Sequence, residues 1–343
     1  MIKKINVSII GASGYSGEEL IRLMLRHPSI NINCITSRKY AGQQIRNVFP
    51  RFAEVDMLFS KPDVEEISKS SDVVFLALPH GLASEYAIPL LKNNLKIFDL
   101  SADFRIADSA MYEKYYKVPH PAPELLKNAV YGSPERSKDE IRSASLIACP
   151  GCYPTSAVLP LVPLLKNGLV DLSASITINS LSGVSGAGRK VALPFIFPEC
   201  NESVKAYAVT GHRHIPEIEQ ELSKAGKKSL KVRFIPHLIP VNRGIQTTIA
   251  VTAAKNISEK NIFDALSLEY ENEPFVRILP LGKTADTKDV TYTNFCEISC
   301  AYDTHTETII LNSAIDNLTK GAAGQAIQSM NIAFGFKETA GLL

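Results

Sequence analysis

The sequence predicts an α/β protein in two parts: an open parallel sheet with interleaved helices, then an α+β part on a mainly antiparallel sheet. Three observations carry this. Up to about residue 150, short apolar runs alternate with segments of helical periodicity, the pattern of parallel βαβ units. The first apolar run feeds directly into a glycine-rich turn. After Cys152 the rhythm changes to runs of strands with few helices, which antiparallel pairing with helices on one face explains. The expected division is 1–148 with 317–343 for the first part and 149–316 for the second.

Taken in order, Ile5–Ile10 reads as a buried strand and Gly11–Gly17 as the turn after it. Tyr15–His27 places Leu20, Ile21, Met24 and Leu25 at helical spacing. Ile30–Thr36, Asp72–Leu78, Leu95–Leu100 and Ser145–Cys149 read as further strands, and Leu82–Lys92 as a helix after a Pro79-His80-Gly81 turn. Beyond Cys152, strands are expected at Ala174–Leu181, Leu230–Ile239, Ile245–Thr252, Phe295–Cys300 and Thr306–Leu311. Helices are expected near Pro216–Ala225 and Ser258–Tyr270. Asn317–Phe334 carries Leu318, Ala322, Ala326, Ile327 and Met330 at helical spacing, a helix expected to pack back on the first part.

Composition sets the outer limits. The chain has 343 residues, 45% hydrophobic and 21% charged, enough to bury two ordinary cores and unlike a disordered, collagenous or disulfide-stapled chain. With 37 basic against 35 acidic side chains the net charge is +2, which offers no single-signed field to nucleic acid or membrane. The N-terminus runs straight into a strand, without the apolar core and cleavage site of a secretory signal. The apolar stretch Leu146–Leu165 holds Pro150, Pro154, Pro160 and Pro163, which argues against a membrane span because lipid cannot replace the lost backbone donors. A cytoplasmic location is expected, with the six cysteines as thiols and Cys34, Cys296 and Cys300 as apolar filler.

Gly11-Ala12-Ser13-Gly14-Tyr15-Ser16-Gly17 follows a strand and opens a helix, so its backbone N–H groups and the helix N-terminus suit a pyrophosphate. This makes the first part a Rossmann-type domain. Where an acid would bind the ribose hydroxyls of NAD, the second strand instead ends in Thr36-Ser37-Arg38-Lys39. A hydroxyl and a guanidinium suit a 2′-phosphate, so Ser37 and Arg38 point to NADP(H). Pro79, His80 and Gly81, at a strand end, are expected to line the cofactor groove.

Cys149-Pro150-Gly151-Cys152 has the C-x-x-C spacing but no second pair for zinc, and no metal is expected. Pro154 or Thr155 is expected to open the next helix, and a thiol at a helix N-terminus has its thiolate favoured. Cys152 is therefore the candidate nucleophile, and Cys149, still in the strand, is expected to face the core. Gly211-His212-Arg213-His214-Ile215-Pro216-Glu217 supplies a candidate acid/base, either His212 or His214, with Glu217 to orient it. His27, His120, His237 and His305 read as structural. Arg105, with Ser101 and Asp103 nearby, follows a strand end and is a candidate phosphate or carboxylate clamp, or a surface ion pair with Asp103 or Asp108. The run Ser182–Gly188 is a candidate substrate wrap, with Ser182 and Gly183 at its start, or a mobile loop.

Together these motifs, with Ala77-Leu78-Pro79-His80-Gly81, Leu100-Ser101-Ala102-Asp103-Phe104-Arg105 and Asn317-Leu318-Thr319-Lys320-Gly321-Ala322-Ala323-Gly324-Gln325, resemble the N-acetyl-gamma-glutamyl-phosphate reductases, in order and over nearly the whole chain. Ser156, Pro160 and Pro163 depart from the family's usual pattern. The resemblance implies the glyceraldehyde-phosphate dehydrogenase-like fold. It implies reduction of an acyl phosphate to a semialdehyde through a Cys152 thioester in arginine biosynthesis, with NADP(H), and a dimeric or tetrameric homo-oligomer. It also gives Asn317 a role at the nicotinamide. Two rivals remain at this point: a related semialdehyde dehydrogenase acting on another substrate, and a non-catalytic NADP-binding sensor using the Cys149–Cys152 pair.

Overall fold

The computed structural model describes residues 4–343, which form two compact units. The first unit comprises the chain through Ala110, Pro119–Pro150 and Ala322–Leu343; the second comprises Met111–Val118 and Gly151–Gly321. The eight-residue excursion at Met111–Val118 lies outside the division expected from the sequence, and the second crossing falls at 321 rather than 316.

The first unit is built on seven strands: β1 (Ile5–Ile10), β2 (Ile30–Thr36), β3 (Phe59–Ser60), β4 (Val73–Leu76), β5 (Lys96–Asp99), β6 (Ala129–Tyr131) and β7 (Leu146–Ala148). They lie in the order β3-β2-β1-β4-β5-β7-β6, and every pairing is parallel. The strands are apolar on both faces, as helix-covered parallel sheets require: all four residues of β4 are fully buried. Chain order reverses between β1 and β4, the crevice where open α/β sheets bind ligands. The helix Gly324–Ala333 packs on Tyr15–Met24 and Lys138–Ser143 within this unit, as its periodicity predicts.

The second unit carries β8 (Ile176–Ser182), β9 (Lys205–Ala206), β10 (Val232–Leu238), β11 (Ile245–Thr252), β12 (Val276–Ile278), β13 (Cys296–Asp303) and β14 (Thr308–Ile315). Their order is β12-β13-β14-β11-β8-β10-β9. The β8–β10 and β12–β13 pairs are parallel and the remainder antiparallel, so the sheet is mixed but mainly antiparallel. Residues of β11 alternate strictly, with Ile245, Thr247, Ile249 and Val251 buried and the intervening ones half-buried. The buried face meets the helices Cys152–Lys166, Ile215–Gly226 and Glu259–Tyr270 in one continuous apolar core.

The Cys152–Lys166 helix holds Pro160 and Pro163 in its interior. Each proline removes the N–H that would bond a carbonyl four residues earlier. Both carbonyls have side-chain donors instead: Ser313 Oγ donates to Ser156 O at 2.6 Å, and Tyr270 Oη donates to Leu159 O at 2.5 Å. The helix thus keeps its prolines because the sheet and a neighbouring helix supply the missing donors. Among the described residues no helix is long and apolar enough to cross a membrane.

Candidate active site

In the first unit the glycine turn has the shape a dinucleotide needs. Gly11 sits at φ +85°, and a Cβ there would lie 2.4 Å from Ala77 O, so only glycine lets the β1 and β4 loops meet. Gly17 lies against Ala12, whose Cα a Cβ would approach to 2.6 Å; this holds the helix close to the strand. Gly14 is the N-cap of Tyr15–Met24, and Tyr15 and Ser16 open that helix. Ser13 Oγ and Ser37 Oγ are 2.9 Å apart, joining the turn to the end of β2. Arg38 follows on the surface; its Nη2 donates to both Glu85 carboxylate oxygens at 2.8 and 3.1 Å and to Tyr86 Oη at 2.7 Å. Pro79 and His80 are exposed after β4. Gly81, at φ +83°, donates its N–H to Asp103 Oδ1 at 2.6 Å, while Asp103 Oδ2 accepts from Ala83 N at 2.9 Å. These features fit a pyrophosphate at the helix N-terminus, with the Ser37 hydroxyl and Arg38 guanidinium beyond it.

Arg105 belongs to this unit too. It is buried, and its Nη2 donates to Leu100 O at 2.8 Å. Ser101 donates to Asp99 Oδ2 at 2.8 Å and accepts from Asp103 N, which ties the loop together. Burial and then the charge of Asp103 raise the Asp99 carboxyl to about 7. Cys149 lies one residue past the end of β7, not in the strand, but it is buried as expected, its thiol pushed well above the usual range by burial and by Asp99. That is a poor setting for a redox thiol.

In the second unit the helix opens at Cys152 itself, rather than at Pro154 or Thr155. The reason lies in Gly151, whose extended conformation (φ −70°, ψ 158°) makes it the N-cap and whose carbonyl accepts from Thr155 N and Thr155 Oγ1, each at 3.0 Å. Pro154, in the first turn, lacks only an N–H that would have no helical partner anyway. The half-buried Cys152 thiol therefore stands in the first turn, where the helix dipole favours negative charge. Glu217 is buried, and its Oε1 accepts from Gly151 N at 2.8 Å. It is joined directly to the residue preceding the thiol, a link that sequence spacing does not reveal. On the other side Gly321 abuts Cys152: a Cβ there would sit 2.7 Å from the Cys152 Cβ.

The two histidines have different surroundings. His214 is the N-cap of the helix Ile215–Gly226. Its backbone N–H donates to His212 Nδ1 at 3.1 Å, which makes that nitrogen the unprotonated one. The His212 ring lies 4.9 Å from that of His214 and is enclosed by Tyr153, Tyr207 and Phe234. Burial, with the charge of Arg213, lowers His212 to about 4. Tyr153 Oη and Tyr207 Oη are 2.9 Å apart; burial pushes Tyr207 up to about 12, and Tyr153 is raised further, with the charge of Cys152 contributing to both. Sequence reading missed both tyrosines. The only signals are adjacency to Cys152 for one and a place in the loop before His212 for the other.

Ser182 ends β8 and donates to Gly183 O at 3.0 Å. The segment after it is anchored, since Gly183 N donates to Gly244 O, Val184 N to Val241 O and Ser185 N to Asn242 O. Only from Gly186 onward is it exposed. Asn317 is buried in this unit, accepting from Gly244 N at 2.8 Å and donating to Ser185 Oγ at 2.9 Å. Its neighbour Asp316 pairs with Arg243 at 3.2 Å and accepts from Leu318 N and Thr319 N, leading into a π turn at Thr319–Ala323. Among the described residues no cluster of three or more His, Cys, Asp or Glu side chains is placed to hold a metal.

Two family models match the chain. The semialdehyde dehydrogenase NAD binding domain matches residues 6–144, and the semialdehyde dehydrogenase dimerisation domain matches 152–317. Among solved structures, aspartate semialdehyde dehydrogenase II of Vibrio cholerae, complexed with ASA, superposes with a TM-score of 0.72 at 18% identity, covering 97% of this chain and 99% of that one. The Candida albicans enzyme with NADP gives 0.69 at 17% identity, covering 96% and 98%. These share the fold. Closer in sequence are proteins named N-acetyl-gamma-glutamyl-phosphate reductase. That of Akkermansia muciniphila is 49% identical, with 99% of each chain covered. That of Pelotomaculum thermopropionicum is 49% identical over 98% of this chain and 97% of its own, and that of Cellvibrio japonicus 46% over 98% of each. With nearly half its residues shared over almost its entire length, the chain belongs to the N-acetyl-gamma-glutamyl-phosphate reductase family.

Proposed function

We propose that the chain reduces N-acetyl-L-glutamyl 5-phosphate to N-acetyl-L-glutamate 5-semialdehyde with release of phosphate, using NADPH and Cys152 as nucleophile, a step of arginine biosynthesis. The observation that carries the reading is the thiol in the first turn of a buried helix, with the preceding N–H held by Glu217. The helix N-terminus favours the thiolate. Cys152 attacks the acyl carbon, phosphate leaves with the bonding pair of the C–O bond, and a thioester remains on the chain. The reduced dinucleotide, when bound at the Gly11–Gly17 turn, supplies the hydride. The same helix N-terminus stabilises negative charge on oxygen at each addition. His214, as acid/base, takes the thiol proton before the attack and passes it to the departing phosphate; collapse of the alkoxide left by hydride transfer then frees the aldehyde and returns the thiolate.

What supports His214 over His212 is that the His212 Nδ1 is already occupied by a backbone N–H and its ring stays neutral down to about pH 4. The protonated Tyr153–Tyr207 pair borders the thiol as a donor wall. Ser182 and Gly183 are assigned to the substrate, and so is the buried guanidinium of Arg105. Asn317 is assigned to the nicotinamide amide through the amide group that braces Ser185. We place the protein in the cytoplasm as a homo-oligomer, a dimer or tetramer, assembled through the second unit. The sensor reading is disfavoured because the Cys149 thiol is buried and held protonated.

Rapid-quench mass spectrometry on enzyme with the acyl phosphate and no dinucleotide tests this directly. An acyl adduct at Cys152 is expected. Cys152→Ser should abolish turnover while retaining NADPH affinity, and Cys149→Ser should retain turnover. Activity on aspartate semialdehyde but none on N-acetyl-glutamate semialdehyde, run in the phosphate-dependent reverse direction, would overturn the substrate assignment.

A further inference from the structure

Beside Arg38 the first unit has a cavity of about 420 Å³ lined by Arg38, Lys61, Pro62, Val64, Glu85 and Tyr86. Of these residues only Arg38 belongs to a motif that the sequence singled out. Lys61 comes directly after β3, as Ser37 and Arg38 come directly after β2, and the two strands are neighbours, with Ser37 N donating to Ser60 O at 3.0 Å. Parallel pairing thus brings the two cations to the carboxyl ends of adjacent strands. Lys61 is exposed and makes no ion pair among the described residues. Arg38 is spoken for: Glu85 takes it at 2.8 Å, and Tyr86 Oη accepts from the same nitrogen. Its guanidinium carbon also lies 5.9 Å from the centre of the Tyr86 ring, so the arm is held at the cavity mouth.

A carboxylate that satisfies the guanidinium in the absence of ligand is a stand-in anion. A dinucleotide without a 2′-phosphate brings no charge to this position, since its pyrophosphate belongs at the Gly11–Gly17 turn. A phosphate monoester, carrying close to two negative charges, competes for the same fork of donors and gains a second cation as well. We propose that Glu85 and Lys61 set the coenzyme choice of this pocket: Glu85 occupies Arg38 until a 2′-phosphate displaces it, and Lys61 is the second cation that receives that phosphate. This rests on the NADPH reading above and adds residues to it. Glu85 acts through Arg38 and opposes binding, whereas Lys61 meets the phosphate itself.

The test is calorimetric binding of adenosine 2′,5′-bisphosphate and of 5′-AMP, which differ only in the 2′-phosphate, to the intact protein. The parent is expected to favour the bisphosphate. Lys61→Gln should weaken bisphosphate binding about tenfold, the scale of one charge-assisted contact, and leave 5′-AMP within about twofold. Glu85→Gln should tighten bisphosphate binding roughly threefold or more and leave 5′-AMP unchanged. An unchanged bisphosphate affinity in Lys61→Gln, or a weaker one in Glu85→Gln, overturns the proposal while the NADPH reading stands. No preference for the bisphosphate in the parent overturns both. Turnover of the acyl phosphate with NADH and NADPH separately decides whether the thiol chemistry holds regardless.

Discussion

Replacing Gly321 with alanine tests how finely the thiol is placed. The new Cβ would lie 2.7 Å from the Cys152 Cβ, 3.2 Å from its Cα and 3.3 Å from Asp316 O. Carbon atoms settle at about 3.5 Å or more, so about 0.8 Å of relief must be found. Neither side yields easily. Gly321 N donates to Asp316 O at 2.9 Å, and Asp316 is itself held by Arg243 and by Tyr292 N. On the other side Glu217 holds Gly151 N, and Thr155 clamps the Gly151 carbonyl. The thiol should shift by most of that distance. A misplacement near 1 Å costs about a hundredfold in a reaction that depends on aligned attack, so kcat/KM for the acyl phosphate should fall roughly thirty- to a hundredfold. Steady-state kinetics reads this, with the iodoacetamide labelling rate at position 152 and the melting temperature as companions. Bisphosphate binding in the first unit should not change. A Gly321→Ala enzyme with parental kcat/KM and parental labelling would refute the claim that this contact fixes the nucleophile.

Other expectations follow from the same geometry. Tyr270→Phe and Ser313→Ala each strip a proline-freed carbonyl of its donor and should cost about 1–3 kcal/mol in urea denaturation. Pro163→Ala restores the helical N–H, so the Tyr270→Phe penalty should shrink in that background; an undiminished penalty would show that the hydroxyl acts elsewhere. His212→Asn should leave both limbs of the kcat/KM–pH profile in place, because His212 stays neutral until about pH 4, whereas His214→Asn should remove one limb. Movement of a limb in His212→Asn would reverse the assignment. Asp99, raised from 3.8 to about 7, binds a proton in the folded protein that the unfolded chain has released. Its contribution to stability is full below pH about 4, falls as pH rises toward about 7 and is flat above, a span of up to about 4 kcal/mol. Asp99→Asn should flatten that fall in denaturation midpoints measured across the window; an unaltered slope would place the titration on another group.

Much of the first unit was legible because its signals are local. A buried parallel strand must be apolar on both faces, so β1, β2 and β4 stand out as runs, and a turn with a positive φ and no room for a Cβ must be glycine, as at Gly11. β3, β6, β9 and β12 were not legible, since two or three residues make no period; β7, equally short, shows only because it lies in the apolar run 145–149. The helix start at Cys152 was misplaced because Pro154 reads as a start signal, while the actual cap is the backbone conformation of Gly151.

By itself, then, the sequence determined the two sheets, the dinucleotide turn, the thiol and the pair of histidines, since each is written in consecutive residues whose chemistry is independent of distant contacts. Only the tertiary structure decided that the His212 ring is enclosed by Tyr153, Tyr207 and Phe234, that Glu217 braces Gly151, that Gly321 backs the thiol, that Ser313 and Tyr270 make two helix prolines tolerable, and that Lys61 and Glu85 flank Arg38. Every one of these depends on residues far apart in the chain meeting at hydrogen-bond or van der Waals distance. Such meetings are set by strand order and packing, which no local pattern encodes.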